Sequence, residues 1–482
     1  MIDPKQLQVP HNPAFAARRS ATTGIEDQEP PILPIDHGAV PAMAVGRSAE
    51  QLLNTIDHFV FVMMENRSFD HMLGYLSHPD YGRRNDVDGL DGSTRQLGGD
   101  LTGTETTPLA GPFPSFYPNL DHDNDSIVRQ INNGKMDAFV SEYGRRLDRT
   151  RGLNPRGIHN DPERALRFQT PDTMTTYDRL ARDYTICDRW FCSVPAGTYP
   201  NRACYYTGVT PALNNVEMKD DFGYMSDLTL FDMLDHVGVD WKLFESDVSF
   251  LRVFDKFRID QDRIRPISEM IHPLPAVTFI DPSFTGFPSD MPNNDDQPDT
   301  SVREGQKFIE SIVEFVENSS QWESTMLVIT YDEHGGFADH VPPPGSPGSS
   351  HPPEASNQIS LSHPDASTFG VRVPTFVVSP LVARSGVSHK IFDHATVFRT
   401  LLQRFAPQHL NSKIIPERVR RARHLGDVLV DQTPLAVNTA RNARPLMGAK
   451  PAARAKVTFA EELDQEDLEF VLKEIGRPSR HR

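Results

Sequence analysis

Two acidic clusters in the sequence have residue types that could bind a metal ion. Glu65 and Asn66 follow the apolar run Phe59–Met64, and Asp332 and Glu333 follow a similar run later in the chain. Runs of this length predict buried strands, and open α/β sheets bind their ligands where such strands end. Because adjacent carboxylates repel each other unless a cation neutralises them, these four oxygen donors indicate a site for a hard divalent ion.

Plainer interpretations of both clusters stay open at this point. A solvated strand end, or an ion pair with Arg67, would also explain Glu65. The second cluster would also fit a loop of solvated acids that carries a structural histidine, His334.

A candidate nucleophile lies in the segment PAGTYPNR, Pro195–Arg202, which we expect to be a loop after a strand. Gly197 and Pro200 bracket Thr198 and can hold its hydroxyl in a fixed backbone geometry. A threonine hydroxyl is a poor nucleophile at its normal pKa, and metal coordination would activate it. Arg202 would supply positive charge to a phosphate. Taken alone, Thr198 is better explained as a turn residue.

Several histidines could transfer protons or contact a phosphate. His122 lies in the acidic loop Asp121–Asp125. A lone loop histidine is usually just solvated, yet histidine is the residue best suited to protonate a leaving oxygen near neutral pH. His334 and His340 flank two glycines that would let the backbone turn tightly beside a ligand.

Composition argues against several classes of partner. The chain has 49 basic and 66 acidic residues, a formal charge of −17. Such an acidic surface argues against nucleic acid or an anionic membrane as a broad electrostatic partner. No apolar run approaches the ~18 residues that span a bilayer. The N-terminus lacks the pattern of a secretory signal, so we expect either a cytoplasmic protein or export without a cleaved signal.

The three cysteines are too few for a disulfide framework, and we expect them to be small buried residues: Cys187, Cys192 and Cys204.

The order of predicted elements indicates an α/β fold with a largely parallel central sheet that has helices on both faces. The predicted strands are Asp57–Met64, Thr185–Cys192, Val239–Phe244, Ala276–Ile280, Met326–Thr330 and Val371–Ser379. The predicted helices are a broken one over Ser126–Tyr143, then Thr176–Leu180, Asp227–Val237, Val302–Trp322 and Ala395–Phe405.

We divide the chain into three parts. Residues 1–54 form an extended arm with a short helix near Ser48–Asn54, residues 55–430 the catalytic domain, and residues 431–482 a tail with one acidic helix, Phe459–Glu474. Two long loops, 82–119 and 342–367, are rich in turn-forming residues and are expected to govern substrate choice.

Four motifs in this order and spacing, ENRSFDH, PAGTYPNR, DEHGGFADHVPPP and FDHATVFRT, resemble those of the bacterial phospholipase C and acid phosphatase family of phosphoesterases. That family belongs to the alkaline-phosphatase-like superfamily. The resemblance runs from about Ile56 to Phe405, which is most of the chain. It implies a central sheet sandwiched by helices, with a metal site where the strands end.

The resemblance also implies roles for individual residues. Thr198 would be the nucleophile that forms a covalent phosphoryl-enzyme intermediate, and His122 a phosphate ligand or general acid. The divalent metal would be held by four residues: Glu65, Asn66, Asp332 and Glu333. We further expect four residues to contact the substrate phosphate: Arg202, His334, His340 and Gln297.

One position departs from the family pattern. Gln297 stands where members of the family often have a histidine before proline. Glutamine can donate a hydrogen bond but cannot transfer a proton at neutral pH. Either another residue, such as Asp296, supplies the proton, or the leaving-group chemistry differs.

The leading hypothesis is a metal-dependent phospholipase C that hydrolyses phosphodiesters such as phosphatidylcholine through a phosphothreonine intermediate. The alternatives are an acid phosphatase acting on phosphomonoesters and a catalytically impaired relative that binds phosphate or metal. Oxygen-only ligands favour Ca²⁺, Mg²⁺ or Mn²⁺ over Zn²⁺, although the superfamily includes zinc enzymes. The sequence leaves the oligomeric state undefined.

Overall fold

A computed structural model gives the fold of the chain. The structure describes residues 46–93, 96–97, 105–106, 108–110, 119–150, 161–213, 215, 228–284, 293–298, 301–346 and 368–432. The predicted arm before residue 46, part of the loop 82–119, most of the loop 342–367 and the acidic helix Phe459–Glu474 lie outside these residues.

The described residues form an eight-stranded sheet. Its strands are β1 His58–Met64, β2 Thr185–Cys187, β3 Trp241–Glu245, β4 Ile264–Pro266, β5 Val277–Asp281, β6 Thr325–Tyr331, β7 Phe376–Val378 and β8 Gly386–Ser388. They lie in the order β8-β2-β7-β6-β1-β5-β3-β4. All strand pairs are parallel except the two that β7 makes with its neighbours, so the predicted largely parallel sheet is confirmed. Shorter strands pair Gln96–Leu97 with Glu105–Thr106, and Leu109–Ala110 with Arg167–Phe168.

Helices and short 3-10 turns connect these strands. The described α-helices are α1 Ala49–Leu53, α2 Phe69–Leu73, α3 Asn124–Ile131, α4 Phe139–Arg149, α5 Thr175–Asp183, α6 Thr198–Thr207, α7 Leu230–His236, α8 Val302–Glu317, α9 Ala395–Phe405 and α10 Glu417–Arg421.

Helices cover both faces of the sheet. Phe279 of β5 contacts Tyr205 of α6 and Phe231 of α7. Tyr331 of β6 bonds to Tyr177 of α5 at 3.0 Å. Phe279 and Tyr331 occupy opposite faces, because Phe279 is level with Phe61, Tyr331 with Met64, and side chains alternate along a strand.

Burial on both faces explains why the central strands read as continuous apolar runs. β1 and β6 lie side by side in the middle of the sheet, and their paired residues run from His58 with Thr325 to Met64 with Tyr331. Both strands therefore deliver the residues that follow them to the same edge of the sheet.

The prediction that Pro195–Arg202 is a loop was wrong, because α6 begins at Thr198. Two features hide this helix in the sequence. Pro200 lies in its first turn, where proline is tolerated, and Tyr199 to Thr207 are all buried, so no polar face creates a helical period.

One predicted strand and one predicted helix differ from the structure in their extent. The predicted strand Thr185–Cys192 ends at Cys187, beyond which Trp190 and Phe191 make only isolated bridges. The broken helix over Ser126–Tyr143 is two helices, separated by a turn in which Asn132, Asn133 and Gly134 have positive φ. The three cysteines are buried and free, as expected.

Candidate active site

Backbone hydrogen bonds hold the two acidic strand ends together. β1 and β6 end in register, so Glu65 and Asp332 leave the sheet side by side. The Asn66 N–H donates to the Asp332 carboxylate at 3.0 Å, and the Arg67 N–H donates to the carbonyl of Glu333 at 2.9 Å. The structure thus brings together all four residues expected to bind the metal.

Left-handed backbone at two positions allows this close approach. Asn66 has a φ of 59°, which asparagine tolerates better than most residues. Gly335 has a φ of 63°, and a Cβ there would lie 2.2 Å from the carbonyl oxygen of Asn66. The first glycine of DEHGG is therefore required by how tightly the strand ends pack.

The site holds more buried negative charge than its own cation balances. Glu65, Asp332 and Glu333 are at most 5% exposed. Arg202 is also buried, and its guanidinium lies 2.5 Å from Glu65 and 3.3 Å from Asp332. Burial and the charge of Asp332 raise the pKa of Glu65 well above its usual range, and burial also raises the pKa of Asp332. A divalent cation would relieve this excess of charge.

The amide of Asn66 tests whether these residues fit a metal. With its nitrogen turned inward, the amide donates to Glu333 Oε1 at 2.6 Å and to Asp332 Oδ1 at 3.3 Å. With its oxygen turned inward, three oxygen atoms meet, and that arrangement is repulsive without a cation. The donor set therefore fits a hard divalent ion that prefers oxygen ligands.

Thr198 reaches this cluster from the N-terminus of α6. In the orientation that turns the Asn66 oxygen inward, Thr198 Oγ1 lies 3.5 Å from Asn66 Oδ1. The Thr198 side chain is partly exposed, whereas the rest of α6 is buried. The amide N–H of Tyr199 donates to the side-chain oxygen of Asn215 at 3.1 Å, which holds the helix start in place. Because a helix N-terminus carries partial positive charge, Thr198 sits where a phosphate would be stabilised.

The loop that carries His122 packs against the start of α6. A Cβ at Gly197 would lie 3.4 Å from the carbonyl oxygen of His122. The His122 Nδ1–H donates to the carbonyl of Leu120 at 2.8 Å, so Nε2 is the nitrogen of the neutral ring that carries no proton.

Asp121, which the sequence analysis did not single out, anchors this loop. Its buried carboxylate accepts from Arg146 and Arg149 of α4 at 2.5 Å each. Those partners lie 25 and 28 residues further along, so no local pattern reveals the pair.

His334 lies behind the candidate ligands. It is fully buried, its Nε2–H donates to Gln130 Oε1 at 2.9 Å, and its Nδ1 lies 3.3 Å from Glu333 Oε2. Its expected contact with phosphate stays a prediction, and its described hydrogen bond goes to Gln130.

His340 lies between two carboxylates, with Nδ1 2.7 Å from Asp70 and Nε2 3.1 Å from Asp88. Burial alone would lower the pKa of His340, but Asp70 and Asp88 raise it to about 10. With Asp88, Asp91 and Lys135 it lines a cavity of about 480 Å³, which the four expected metal ligands do not line. A phosphate contact of His340 stays a prediction.

A second group of ligand-type side chains surrounds His340. Asp70, Asp339 and His340 each place one ligand atom within 4.8 Å of the others, close enough to hold a metal ion. The buried Arg372, however, donates to Asp70 at 3.0 Å and to Asp339 at 2.9 Å. Because protein cations already neutralise these carboxylates, the Glu65 cluster is the better match for a divalent ion.

Gln297 belongs to a loop that packs on the end of β1. The carbonyl of Asp295 accepts from the N–H of Glu65 at 2.8 Å, and the Asp295 carboxylate accepts from the N–H of Gln297 at 3.0 Å. Gln297 is therefore two residues from a direct contact with an expected metal ligand.

Asp296, the suggested alternative proton donor, is held by two tyrosines. It is fully buried, and its carboxylate accepts from the hydroxyls of Tyr177 and Tyr331 at 2.6 Å each. Burial raises the pKa of Asp296 to about 6. Its role as a proton donor stays a prediction.

Comparison with known proteins identifies the family of the chain. The model of the Phosphoesterase family matches residues 56–407, so the chain belongs to that family and is a phosphoric ester hydrolase. The matched region agrees with the one inferred from the four motifs.

Two relatives show the extent of the similarity. Over 396 residues the chain is 28% identical to non-specific phospholipase C1 of Arabidopsis thaliana, an alignment that covers 75% of this chain and 69% of the relative. Over 405 residues it is 27% identical to phospholipase C B of Mycobacterium tuberculosis, with 73% and 74% covered.

Among solved structures, one similar protein belongs to the alkaline phosphatase superfamily and comes from Vibrio parahaemolyticus. It is 13% identical, with a TM-score of 0.29 over 47% of this chain and 59% of that chain.

Within the described part of the chain, no helix has the length and apolarity needed to span a bilayer.

Proposed function

We propose that the protein is a metal-dependent phosphoesterase of phospholipase C type that hydrolyses phosphodiesters such as phosphatidylcholine. The observation that carries the proposal is the 3.5 Å approach of Thr198 Oγ1 to Asn66, inside a cluster of buried oxygen donors. The names of the sequence relatives, which are phospholipases C, support the substrate class.

The metal is the proposed cofactor of this reaction. Ca²⁺, Mg²⁺ or Mn²⁺ suits the oxygen donors better than Zn²⁺. Once bound by Glu65, Asn66, Asp332 and Glu333, the ion would favour loss of the threonine proton and neutralise charge on the phosphoryl oxygens.

Thr198 is the proposed nucleophile. Its Oγ1 loses a proton to solvent and attacks phosphorus, so that an Oγ1–P bond forms while the P–O bond to the alcohol breaks. His122 donates a proton from Nε2 to the departing alcohol oxygen. Water then attacks the phosphorus of the phosphothreonine, so that a new O–P bond forms while the Oγ1–P bond breaks. His122 takes a proton from that water, and Oγ1 regains a proton from solvent, which restores Thr198.

Arg202 has two proposed roles. It balances charge by pairing with Glu65 and Asp332. Its Nη1 is buried with no hydrogen-bond partner among the described residues, so a phosphoryl oxygen is the partner that we propose for it. Gln297 would add a neutral hydrogen bond to the phosphate.

Activity on two chromogenic esters tests the proposal. We expect hydrolysis of p-nitrophenylphosphorylcholine, its loss with a chelator, and its recovery with one of the four divalent ions. Thr198→Ala, with folding intact, should lose this activity. Faster hydrolysis of p-nitrophenyl phosphate would favour the acid phosphatase, and phosphate binding without turnover of either ester would favour the impaired relative.

A further inference from the structure

The dipeptide Asp393–His394, directly before α9, contacts both halves of the candidate site. The His394 Nε2 lies 2.7 Å from the carbonyl oxygen of Asp332, an expected metal ligand. The Asp393 carboxylate accepts from the hydroxyl of Ser193 at 2.8 Å. Ser193 begins the short segment that leads into α6 and to Thr198.

The protonation of His394 follows from its two partners. Trp190 Nε1–H can only donate, and it lies 3.3 Å from His394 Nδ1, so Nδ1 is an acceptor. The proton of the neutral ring is therefore on Nε2, where the carbonyl of Asp332 accepts it. All three residues are at most 1% exposed, so water does not compete for these bonds.

Asp393 forms a closed network with Arg418. The Arg418 Nη1 donates to the Asp393 carboxylate at 3.0 Å and to the Ser193 carbonyl at 2.5 Å. The following residues are tied down by Asn201, whose amide donates to the carbonyls of Ala196 and Gly197 at 2.7 and 3.1 Å. The segment before Thr198 is thus bonded at both ends.

We propose that Asp393 and His394 are positioning residues. Together they fix the distance and the orientation between the metal site and the nucleophile. His394 fixes the main chain of Asp332 and so orients the carboxylate that would hold the metal. Asp393 fixes Ser193 and, through it, the start of α6. Both side chains are at most 2% exposed and act through other residues. The inference rests on the proposed function for the roles of Asp332 and Thr198.

The affinity for a metal ion tests the proposed role of His394, and the measurement does not require turnover. In chelator-treated protein, calorimetric titration with Mn²⁺ should show that His394→Phe binds the ion about 10- to 100-fold more weakly. His394→Gln should recover most of the affinity, because its side-chain N–H can occupy the place of Nε2–H. His58→Gln, which changes a histidine at the opposite end of β1, should bind as the wild type does. If His394→Phe binds Mn²⁺ with wild-type affinity, the proposed role of His394 is wrong.

The turnover number kcat tests the proposed role of Asp393. Ser193→Ala should lower kcat by up to about 100-fold, because small displacements of a nucleophile are costly, and should leave the Mn²⁺ affinity unchanged. The matched control is Ser379→Ala, which removes a buried hydroxyl bonded at 2.8 Å to the carbonyl of Thr325, at the amino end of β6. If the kcat of Ser193→Ala equals that of this control, the proposed role of Asp393 is wrong.

A second variant covers a failure of His394→Phe to fold. Trp190→Phe keeps an aromatic ring but frees His394 to change tautomer, so Mn²⁺ affinity should fall, and unchanged affinity would contradict the proposal. Binding of Mn²⁺ that depends on His394, without phosphoester hydrolysis, would sustain the positioning role and reject the proposed function. Phosphoester hydrolysis with an Mn²⁺ affinity that does not depend on His394 would support the proposed function and reject the positioning role.

Discussion

The hydroxyl of Thr198 lies 3.5 Å from the inward-facing atom of the Asn66 side-chain amide, although 132 residues separate them in the chain. Asn66 follows a central strand of the sheet, and Thr198 begins a helix that packs on one face of that sheet. Their approach brings a potential nucleophile next to a potential metal ligand.

Replacement of Gly335 should destabilise the fold strongly. In Gly335→Ala the new Cβ would meet the Asn66 carbonyl at 2.2 Å and the backbone would keep a positive φ, so we expect a loss of about 3 kcal/mol in the free energy of unfolding. Gly238→Ala is the matched control, because its φ is 71° but nothing lies within 4 Å of the added atom. Its loss should be about 1 kcal/mol. Equal losses in urea unfolding would contradict the packing argument.

Bound metal should stabilise the protein through the four oxygen donors. At an Mn²⁺ concentration of about 100 times Kd, the free energy of unfolding should rise by about 2.7 kcal/mol. Glu333→Gln removes one ligand charge, so most of this gain should disappear in thermal or urea unfolding. A Glu333→Gln protein that Mn²⁺ stabilises as much as the wild type would place the metal elsewhere, with Asp70, Asp339 and His340 as the next site to examine.

Loss of Arg202 should lower the free energy of unfolding most when no metal is present. Arg202→Met leaves Glu65 and Asp332 buried without their guanidinium, and breaking such a pair costs about 3–5 kcal/mol. Added Mn²⁺ should reduce this cost, since a divalent ion supplies the missing charge. Arg265→Met, which removes a partly exposed pair with Glu269, should lower the free energy of unfolding by under about 1 kcal/mol with or without Mn²⁺. An unchanged Arg202→Met deficit on adding Mn²⁺ would count against a metal at this cluster.

Much of the site could be anticipated because its signal is local. Apolar runs that end in acids mark β1 and β6, and two parallel strands carry such ends to one edge of a sheet. The start of α6 at Thr198 was missed because burial on all sides removes the helical period. The partners of Arg202 and His394 could not be read from the sequence, since hydrogen bonds across more than 60 residues leave no pattern in either segment.

The stabilising effect of His340 should depend on pH. Its pKa of about 10 in the folded protein lies above the ordinary value of 6.5. Its contribution to stability is therefore fully present below about pH 6.5 and is lost as the pH rises through 10. We expect His340→Gln to reduce the free energy of unfolding by on the order of 3 kcal/mol at pH 6 and by much less at pH 10. A deficit of equal size at both pH values would show that Asp70 and Asp88 do not hold a charged imidazole.

The most direct test is capture of a phosphorylated Thr198. The enzyme would be mixed with a phosphodiester labelled at phosphorus, quenched in acid during turnover, and digested to locate the label. We predict that the label stays on the peptide containing Thr198, and that Thr198→Ala retains neither label nor activity. Full turnover by Thr198→Ala, or label bound to another residue, would contradict the account.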